Sequence, residues 1–174
     1  LEQAQSLLDA DRGGGIYLYE SGGDVLRLVH GTGINQGRDD ITIQVDEGVV
    51  GRVYQTSQPL IIDNYSDWKA HATILVTDPP STVMGVPLVL NAKVFGVLTL
   101  IANSQLRKFT DQDMQQAEMF AAQAAVAIQN AQLYQQARQE IAERVQAEAA
   151  LRESEALYRQ AIEVAGAVPY LQSY

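Results

Sequence analysis

The sequence contains no cysteine among its 174 residues. That absence excludes disulfide bonds, thiolate metal ligands, a cysteine nucleophile and any cofactor that is attached through a thioether. Histidine is scarce as well, because the two histidines, His30 and His71, stand 41 positions apart and lack the spacing of metal ligands. We therefore expect no metal site and no chemistry that depends on a thiol.

Positive charge is also in short supply. The chain has 12 lysines and arginines against 21 aspartates and glutamates, and its longest basic cluster is the pair Arg107–Lys108. Nucleic acids and anionic membranes attract basic patches, so neither is an expected partner. No apolar run approaches the roughly 20 residues of a membrane span, and no signal peptide is visible. We expect a cytoplasmic protein and, because the chain opens at Leu1 without methionine, a piece of a longer one.

Glycine is confined almost entirely to the first half of the chain. Twelve of the 13 glycines lie at or before Gly96. This half alternates short β-rich runs with turn residues, and the pattern predicts strands at 15–21, 24–31, 41–45, 59–63, 82–90 and 93–103. Asn91 and Ala92 predict a tight turn between the last two strands. Helical spacing predicts the end of one helix in residues 1–11 and a short helix over 46–58.

The second half predicts one long helix. Thr110 can cap its start, and neither glycine nor proline interrupts the pattern until about Ala165. At 1.5 Å per residue the helix would be roughly 84 Å long. One apolar face is predicted to cover the sheet of the domain, and it consists of Ala117, Phe120, Ala121, Ala124, Ile128 and Ala131.

A second apolar stripe recurs every seven residues on a different face of this helix, at Met119, Val126 and Leu133. Two interpretations stay open for it. The stripe could pack on the helix of a second chain, or the N-terminal helix of the same chain could cover it.

Beyond Tyr134 the helix carries charged residues of alternating sign at four-residue steps, which favour an exposed helix. Apolar residues continue beside them at Ile141, Val145, Leu151 and Tyr158. The six-residue step from Val145 to Leu151 shifts the apolar seam near Ala149, as a stutter in a coiled coil does. A solvated linker helix is the alternative interpretation.

Three separated segments carry a family resemblance, in the order and spacing of the family. They are GVVGRVYQTSQPLIIDNY, VMGVPLVLNAKVFGVLTLIAN and FTDQDMQQAEMFAAQAAVAIQNAQLY. Residues 1–135 thereby resemble a GAF domain, a small-molecule sensor and dimerisation module of signalling proteins. The segment ALRESEALYRQAIEVAGAVPY is similar to the lead-in helix and first strand of a PAS domain of bacterial sensor histidine kinases. The resemblance divides the chain into a GAF domain at 1–135, a coiled-coil linker helix at 136–160 and the start of a truncated PAS domain at 161–174.

The GAF resemblance implies an α+β fold with a central antiparallel sheet of about six strands. It also implies helices from both ends of the chain on one face and a ligand pocket on the other. The variable wall of that pocket corresponds to residues 63–82 here, where the side chains that suit a small-molecule site are Asp63, Tyr65, Trp68, His71 and Thr73. The ligand would be an unidentified small molecule, and without cysteine it cannot be a covalently held bilin.

The chemistry of related proteins argues against three functions for this chain. A histidine kinase core needs a phosphoacceptor histidine on a helix, and neither histidine lies in a predicted helix. Free-methionine sulfoxide reductases of this fold work through cysteine thiols. The cyclic-nucleotide pattern of phosphodiesterase GAF domains, Asn-Lys followed by Phe, three residues and Asp-Glu, is broken at Ser104 and Met114. We expect no catalysis from this fragment.

Two functions fit these observations. The first is a sensory module that binds a small molecule, forms a homodimer through its helices and passes a signal to downstream PAS and kinase domains of the same chain. The residues expected in the dimer and signalling helix are Met119, Val126, Leu133, Ile141, Val145, Leu151 and Tyr158. The alternative is a ligand-free spacer that only dimerises and orients its neighbours.

Overall fold

A computed structural model describes residues 1–38, 40–69 and 81–166. In chain order the elements are α1 (Glu2–Leu7), β1 (Gly13–Glu20), β2 (Val25–Gly33), β3 (Thr42–Gln44), α2 (Gly48–Thr56), β4 (Leu60–Ile62), a 3₁₀ turn (Tyr65–Asp67), β5 (Ser81–Leu90), β6 (Lys93–Asn103) and α3 (Asp111–Gly166). All six predicted strands are present, with ends that differ from the prediction by at most two residues.

The six strands form one antiparallel sheet in the order β3-β2-β1-β6-β5-β4. The strands β1 and β2 form one hairpin, and β5 and β6 form another. The two hairpins join where β1 pairs with β6, from Gly13 opposite Ile101 to Leu18 opposite Gly96. The α+β fold with a six-stranded antiparallel sheet is therefore confirmed.

The β5–β6 hairpin runs from Ser81 opposite Asn103 to Leu90 opposite Lys93. Asn91 and Ala92 close it, with φ angles of 50° and 62°. Two successive left-handed residues are the mark of a type I′ turn, whose twist matches that of the strands it joins. The tight turn that the sequence predicts here is confirmed.

Both faces of the sheet are covered by helices, and its central strands carry apolar side chains on each face. Along β6 every residue from Gly96 to Ala102 is buried. The face that we call the α3 face packs against α1 and the start of α3, and its core includes Leu8, Met84, Leu98, Leu100, Phe109 and Ala121. The opposite face, which we call the α2 face, has a core that includes Tyr17, Leu26, Val49, Val53, Tyr65 and Val97.

A reciprocal cap fixes the start of α3. The Asp113 amide donates to Thr110 Oγ1 at 3.2 Å, and the Thr110 amide donates to Asp113 Oδ2 at 2.8 Å. This is a capping box with aspartate in place of the usual glutamate or glutamine. Thr110 is therefore the N-cap that the sequence predicts.

The first turns of α3 present small residues to the sheet. The residues on this side are Ala117, Ala121 and Ala125, which are buried, and Phe120, Ala124 and Ile128, which are partly buried. Ala131 was expected on the same face and is exposed. The compact unit that contains the sheet ends at Ile128, so Ala131 lies beyond it. Ala125, which the pattern analysis did not include, completes the buried side.

Two residues of the second apolar stripe, Met119 and Val126, lie on the side of α3 that faces away from the sheet. Met119 stands two residues before the buried Ala121, and Val126 stands nine residues after the buried Ala117. Both separations correspond to about 180–200° around a helix. Met119 is 61% exposed and Val126 is 50% exposed although α1 is in place. Residues Glu2–Leu7 of α1 therefore leave Met119 and Val126 exposed.

The residues after Ile128 form a second unit, Gln129–Tyr174, which is helical as far as Gly166. Its exposed large apolar side chains are Leu133, Tyr134, Ile141, Val145, Leu151, Leu157, Tyr158 and Ile162. Ion pairs at four-residue spacing join Arg144 to Glu140 at 3.0 Å and Arg152 to Glu148 at 3.9 Å. Such pairs add slightly to the stability of an exposed helix. Within the described part of the chain, no helix is both long enough and apolar enough to cross a membrane.

Replacement of Gly85 by alanine tests how α2 packs on the sheet. A Cβ atom at this position would lie 2.5 Å from Val49 Cγ1 and 3.0 Å from Val53 Cγ2, so it would push α2 off β5. We expect Gly85→Ala to lower the free energy of unfolding by about 1–3 kcal/mol in a urea titration. Gly22→Ala is the control, because nothing lies within 4 Å of a Cβ atom there. Equal stability of the two variants would contradict this account of the packing.

Candidate functional site

The α2 face contains the residues of the candidate site that the structure brings together. Tyr65, in the 3₁₀ turn after β4, is buried, and Trp68 packs against the same cluster while partly buried. Their ring centroids are 5.9 Å apart, with the ring planes tilted by 48°. Two of the five predicted pocket residues are therefore neighbours on this face.

The other predicted pocket residues have different positions. Asp63 lies near the surface, where its Oδ2 accepts a hydrogen bond from Lys108 Nζ at 3.0 Å. Its side chain is 53% exposed. His71 and Thr73 lie outside the described residues. Asp63 thus contributes an ion pair at the edge of the candidate site, two residues before Tyr65.

Two buried polar side chains on the α2 face were not singled out by the sequence. Tyr17 and Asn35 are both fully buried. The Tyr17 hydroxyl and Asn35 Oδ1 have no hydrogen-bond partner within the described part of the chain. Asn35 Nδ2 donates to the carbonyl oxygen of Gly14 at 3.2 Å, so the nitrogen of this amide has a partner and its oxygen has none among the described residues.

Gly15 brings these two side chains close together. A Cβ atom on Gly15 would lie 2.7 Å from Leu28 Cδ1, 2.8 Å from Tyr17 Cε2 and 3.4 Å from Asn35 Nδ2, so these side chains fill the space that a side chain at this position would need. Gly31, opposite Gly15 in the β1–β2 pairing, leaves room for the Asn35 backbone in the same way. The glycines were visible in the sequence as GGG and GTGINQG, but the pattern did not show which side chain enters the space beside them.

The Tyr17 hydroxyl is held in its neutral form. Burial raises its pKa well above the usual range, the neighbouring Tyr65 raises it further, and the charge of Arg38 opposes the shift. At neutral pH the site therefore offers an O–H group and an amide oxygen among apolar and aromatic side chains. Small-molecule sites have this composition. No group of three acidic or histidine side chains that could hold a metal ion occurs among the residues described.

A comparison with protein families identifies the family to which this chain belongs. The family model of the GAF domain matches residues 1–129. The chain belongs to the GAF domain family. A curated relative, the probable 3′,5′-cyclic phosphodiesterase pde-5 of Caenorhabditis elegans, is 26% identical over 173 residues, which cover 92% of this chain and 22% of that protein. The chain thus spans less than a quarter of the length of that relative.

Solved GAF structures share the fold. The GAF domain of an Acinetobacter phosphoenolpyruvate-protein phosphotransferase superposes with a TM-score of 0.63 at 23% identity, and the match covers 75% of this chain and 80% of that one. The GAF-B domain of DevS from Mycobacterium smegmatis gives a TM-score of 0.61 at 23% identity, over 78% of this chain and 91% of that one. GAF domains are regulatory, small-molecule-binding modules of signalling proteins, so this chain is a signalling module.

The residues that partly match the cyclic-nucleotide pattern do not lie at the candidate site. Phe109 is buried in the core of the α3 face, on the other side of the sheet from Tyr17. Asp113 belongs to the capping box of α3. In this GAF domain the Phe-to-Asp spacing therefore supports the start of a helix.

Tyr17→Phe tests the unpartnered hydroxyl. Since removal of a buried polar group without a described partner relieves its desolvation, we expect the variant to be more stable than wild type by about 1 kcal/mol when both proteins are free of ligand. An unfolded tyrosine has a pKa near 10, and burial raises the pKa of Tyr17. Above about pH 10 this tyrosine ionises in the unfolded state while burial keeps it neutral in the folded state, so wild type should lose stability with rising pH more steeply than the variant.

The measurement is chemical denaturation at pH 7 and at a series of values above pH 10. Tyr134→Phe is the matched control, because the Tyr134 side chain is exposed on α3 and its hydroxyl should not affect the stability at pH 7. A Tyr17→Phe variant that is less stable than wild type at pH 7 would show that the hydroxyl has a hydrogen-bond partner in solution.

Proposed function

We propose that this GAF domain is the sensory module of a cytoplasmic multidomain signalling protein of the sensor histidine kinase type. It binds a small molecule on the α2 face, catalyses no reaction itself and passes its response through α3. The observation that carries the proposal is the pair of buried polar atoms, Tyr17 Oη and Asn35 Oδ1, that have no partner in the described part of the chain.

The energetic cost of these atoms supports a ligand site. A buried donor or acceptor without a partner costs about 1–3 kcal/mol, and the described residues supply no partner for the Tyr17 hydroxyl or for Asn35 Oδ1. A ligand that accepts from the Tyr17 hydroxyl and donates an N–H group to Asn35 Oδ1 would restore both hydrogen bonds. Tyr65 and Trp68 provide aromatic surface for its apolar part.

A second copy of the chain is the proposed partner of the exposed stripe on α3. Met119 and Val126 face away from the sheet, and Leu133 continues the seven-residue repeat with 55% of its surface exposed. Beyond it, Ile141, Val145, Leu151 and Tyr158 are exposed as well. Apolar residues at this period pack best against an equivalent helix, which favours a parallel homodimer through α3.

The proposed output is a PAS domain that follows α3, with a kinase core further along the parent protein. The support is the resemblance of residues 150–170 to the lead-in of a PAS domain. Residues 161–166 form the end of α3. The rest of the segment lies outside the described residues. The apolar seam shifts near Ala149, and a helical pair with such a shift can adopt two arrangements of similar energy, as signal transmission requires.

Native mass spectrometry of the purified protein tests the ligand. We expect wild type to retain a small molecule, and Tyr17→Phe to retain less of it because one hydrogen bond to the ligand is lost. The exposed Tyr134→Phe should retain the wild-type amount. A wild-type protein that carries no added mass, and that shows no thermal shift with any compound of a small-molecule library, would favour the ligand-free spacer.

Sedimentation of a charge variant tests the dimer. We expect wild type to be a dimer, and Val126→Glu combined with Leu133→Glu to be a monomer, since glutamates inside an apolar helix pair repel each other and lose their water. The control is Gln132→Glu combined with Gln135→Glu, which adds the same charge at exposed positions outside the stripe and should remain dimeric. A stripe variant that sediments as a dimer would refute this interface.

A further inference from the structure

The loop between β6 and α3 contacts three parts of the domain through two consecutive side chains. The Arg107 guanidinium donates to Asp9 Oδ2 at 2.8 Å and to Asp113 Oδ1 at 2.7 Å. Lys108 Nζ donates to Asp63 Oδ2 at 3.0 Å. Asp9 follows α1, Asp63 follows β4 and Asp113 lies in the first turn of α3. The loop therefore joins the N-terminal helix, the edge of the candidate site and the start of the long helix.

The contacts on the α3 side hold Arg107 firmly. Its side chain is 28% exposed and that of Asp113 is 14% exposed, so solvent screens this ion pair only in part. The guanidinium carbon also lies 5.9 Å from the centroid of the Phe109 ring, at cation–π distance. The backbone before it is fixed by the Asn103 carbonyl, which accepts from the amides of Leu106 and Arg107 at 3.0 Å each.

The carboxylate that Arg107 holds is the one that caps α3. Asp113 Oδ1 accepts from Arg107, while Asp113 Oδ2 accepts from the amide and the hydroxyl of Thr110 at 2.8 and 2.9 Å. Any displacement of Arg107 therefore changes the position of the carboxylate that satisfies the first turn of the helix. Helix ends depend on such side-chain partners, because their first amides have none within the helix.

The contact on the other side begins at the candidate site. Asp63 comes one residue after β4 and two residues before the buried Tyr65, whose ring packs on Trp68. A ligand that displaces the aromatic pair would move this short segment and the carboxylate of Asp63 with it. Lys108 follows that carboxylate, and the peptide bond between Lys108 and Arg107 transmits the movement.

We propose that the Asp63–Lys108 ion pair couples the wall of the candidate site to the N-terminal cap of α3, with Arg107 as the positioning residue between them. The coupling transmits a ligand's effect only if the site takes a ligand, and in that respect it rests on the proposed function. The pair is exposed, so its effect on any equilibrium is modest, about two- to fivefold. An ion pair of this strength shifts the equilibrium between the formed and the opened cap of α3, but it does not fix the cap in one state.

Amide hydrogen exchange by NMR tests the coupling without any ligand. The reporters are the amides of Asp113 and Met114, which donate to Thr110 Oγ1 and to the Thr110 carbonyl oxygen. We expect Asp63→Asn and Lys108→Met each to speed the exchange of both amides about two- to fivefold. These substitutions change the net charge in opposite directions, so a common increase cannot come from the electrostatic field at the amides.

Two further variants complete the design. Glu20→Gln removes a comparably exposed pair, Glu20–Arg27, which lies on the β1–β2 hairpin, and it should leave both amides unchanged. Arg107→Met should speed the exchange more than either single variant at the ion pair does, because it releases Asp113 directly. If Arg107→Met has this effect while Asp63→Asn and Lys108→Met match wild type, the coupling is refuted. A failure to find a ligand would leave these rates, and this test, unaffected.

The same measurement on the combined Asp63→Asn, Lys108→Met variant distinguishes one interaction from two separate effects. Both substitutions break the same ion pair, so we expect the combined variant to exchange no faster than either single variant. If the fold increases in exchange rate of the two single variants multiply in the combined variant, the two side chains act on the cap independently. That result would also overturn the proposal.

Discussion

Burial of β6 on both faces is the constraint on which the rest of this domain depends. Seven consecutive residues, Gly96–Ala102, are buried between β1 and β5, so the strand needs cover on each side. The N-terminal helix and the start of α3 cover one face, and α2 covers the other. Glycine makes the close approach of the neighbouring strand feasible, since a Cβ atom at Gly96 would lie 2.4 Å from the carbonyl oxygen of Tyr17.

The two covered faces bury different large side chains. The core of the α3 face includes aliphatic side chains, alanines, Met84 and Phe109, and the buried Thr82 lies on the same side of β5 as Met84. The α2 face contains the Tyr17 hydroxyl and the Asn35 amide within a similar apolar setting. Neither the Tyr17 hydroxyl nor Asn35 Oδ1 has a hydrogen-bond partner among the described residues, and the proposed ligand site depends on this feature.

The long helix depends on different forces along its length. As far as Ile128 its small side chains are held by packing on the sheet, and its start is fixed by the cap at Thr110. From Gln129 the helix is held by intrinsic propensity and by scattered ion pairs, which together make an isolated helix only marginally stable in water. A partner helix would add the packing that this segment lacks, and the conformation of the segment would then respond to how the partner is placed.

Local patterns in the sequence were sufficient for the strands, the Asn91–Ala92 turn, the Thr110 cap and most of the sheet-facing side of α3 as far as Ile128, although they missed Ala125. Each of these features depends on residues a few positions apart, so periodicity and turn chemistry contain the necessary information. The family resemblance implied an antiparallel sheet of about six strands, but only the structure gave their pairing order, since spacing alone does not specify which strands become neighbours.

The tertiary structure determines which side chains of the candidate site are buried and which of them have partners. Tyr17 and Tyr19 look equivalent in the sequence, two positions apart on one strand, yet the Tyr19 hydroxyl donates to Asp24 at 2.7 Å while that of Tyr17 has no described partner. Asp63 fitted a pocket wall by composition but pairs with Lys108, 45 positions later. Burial and pairing of this kind arise from contacts between residues that are far apart in the chain, and a single sequence does not record which of them meet.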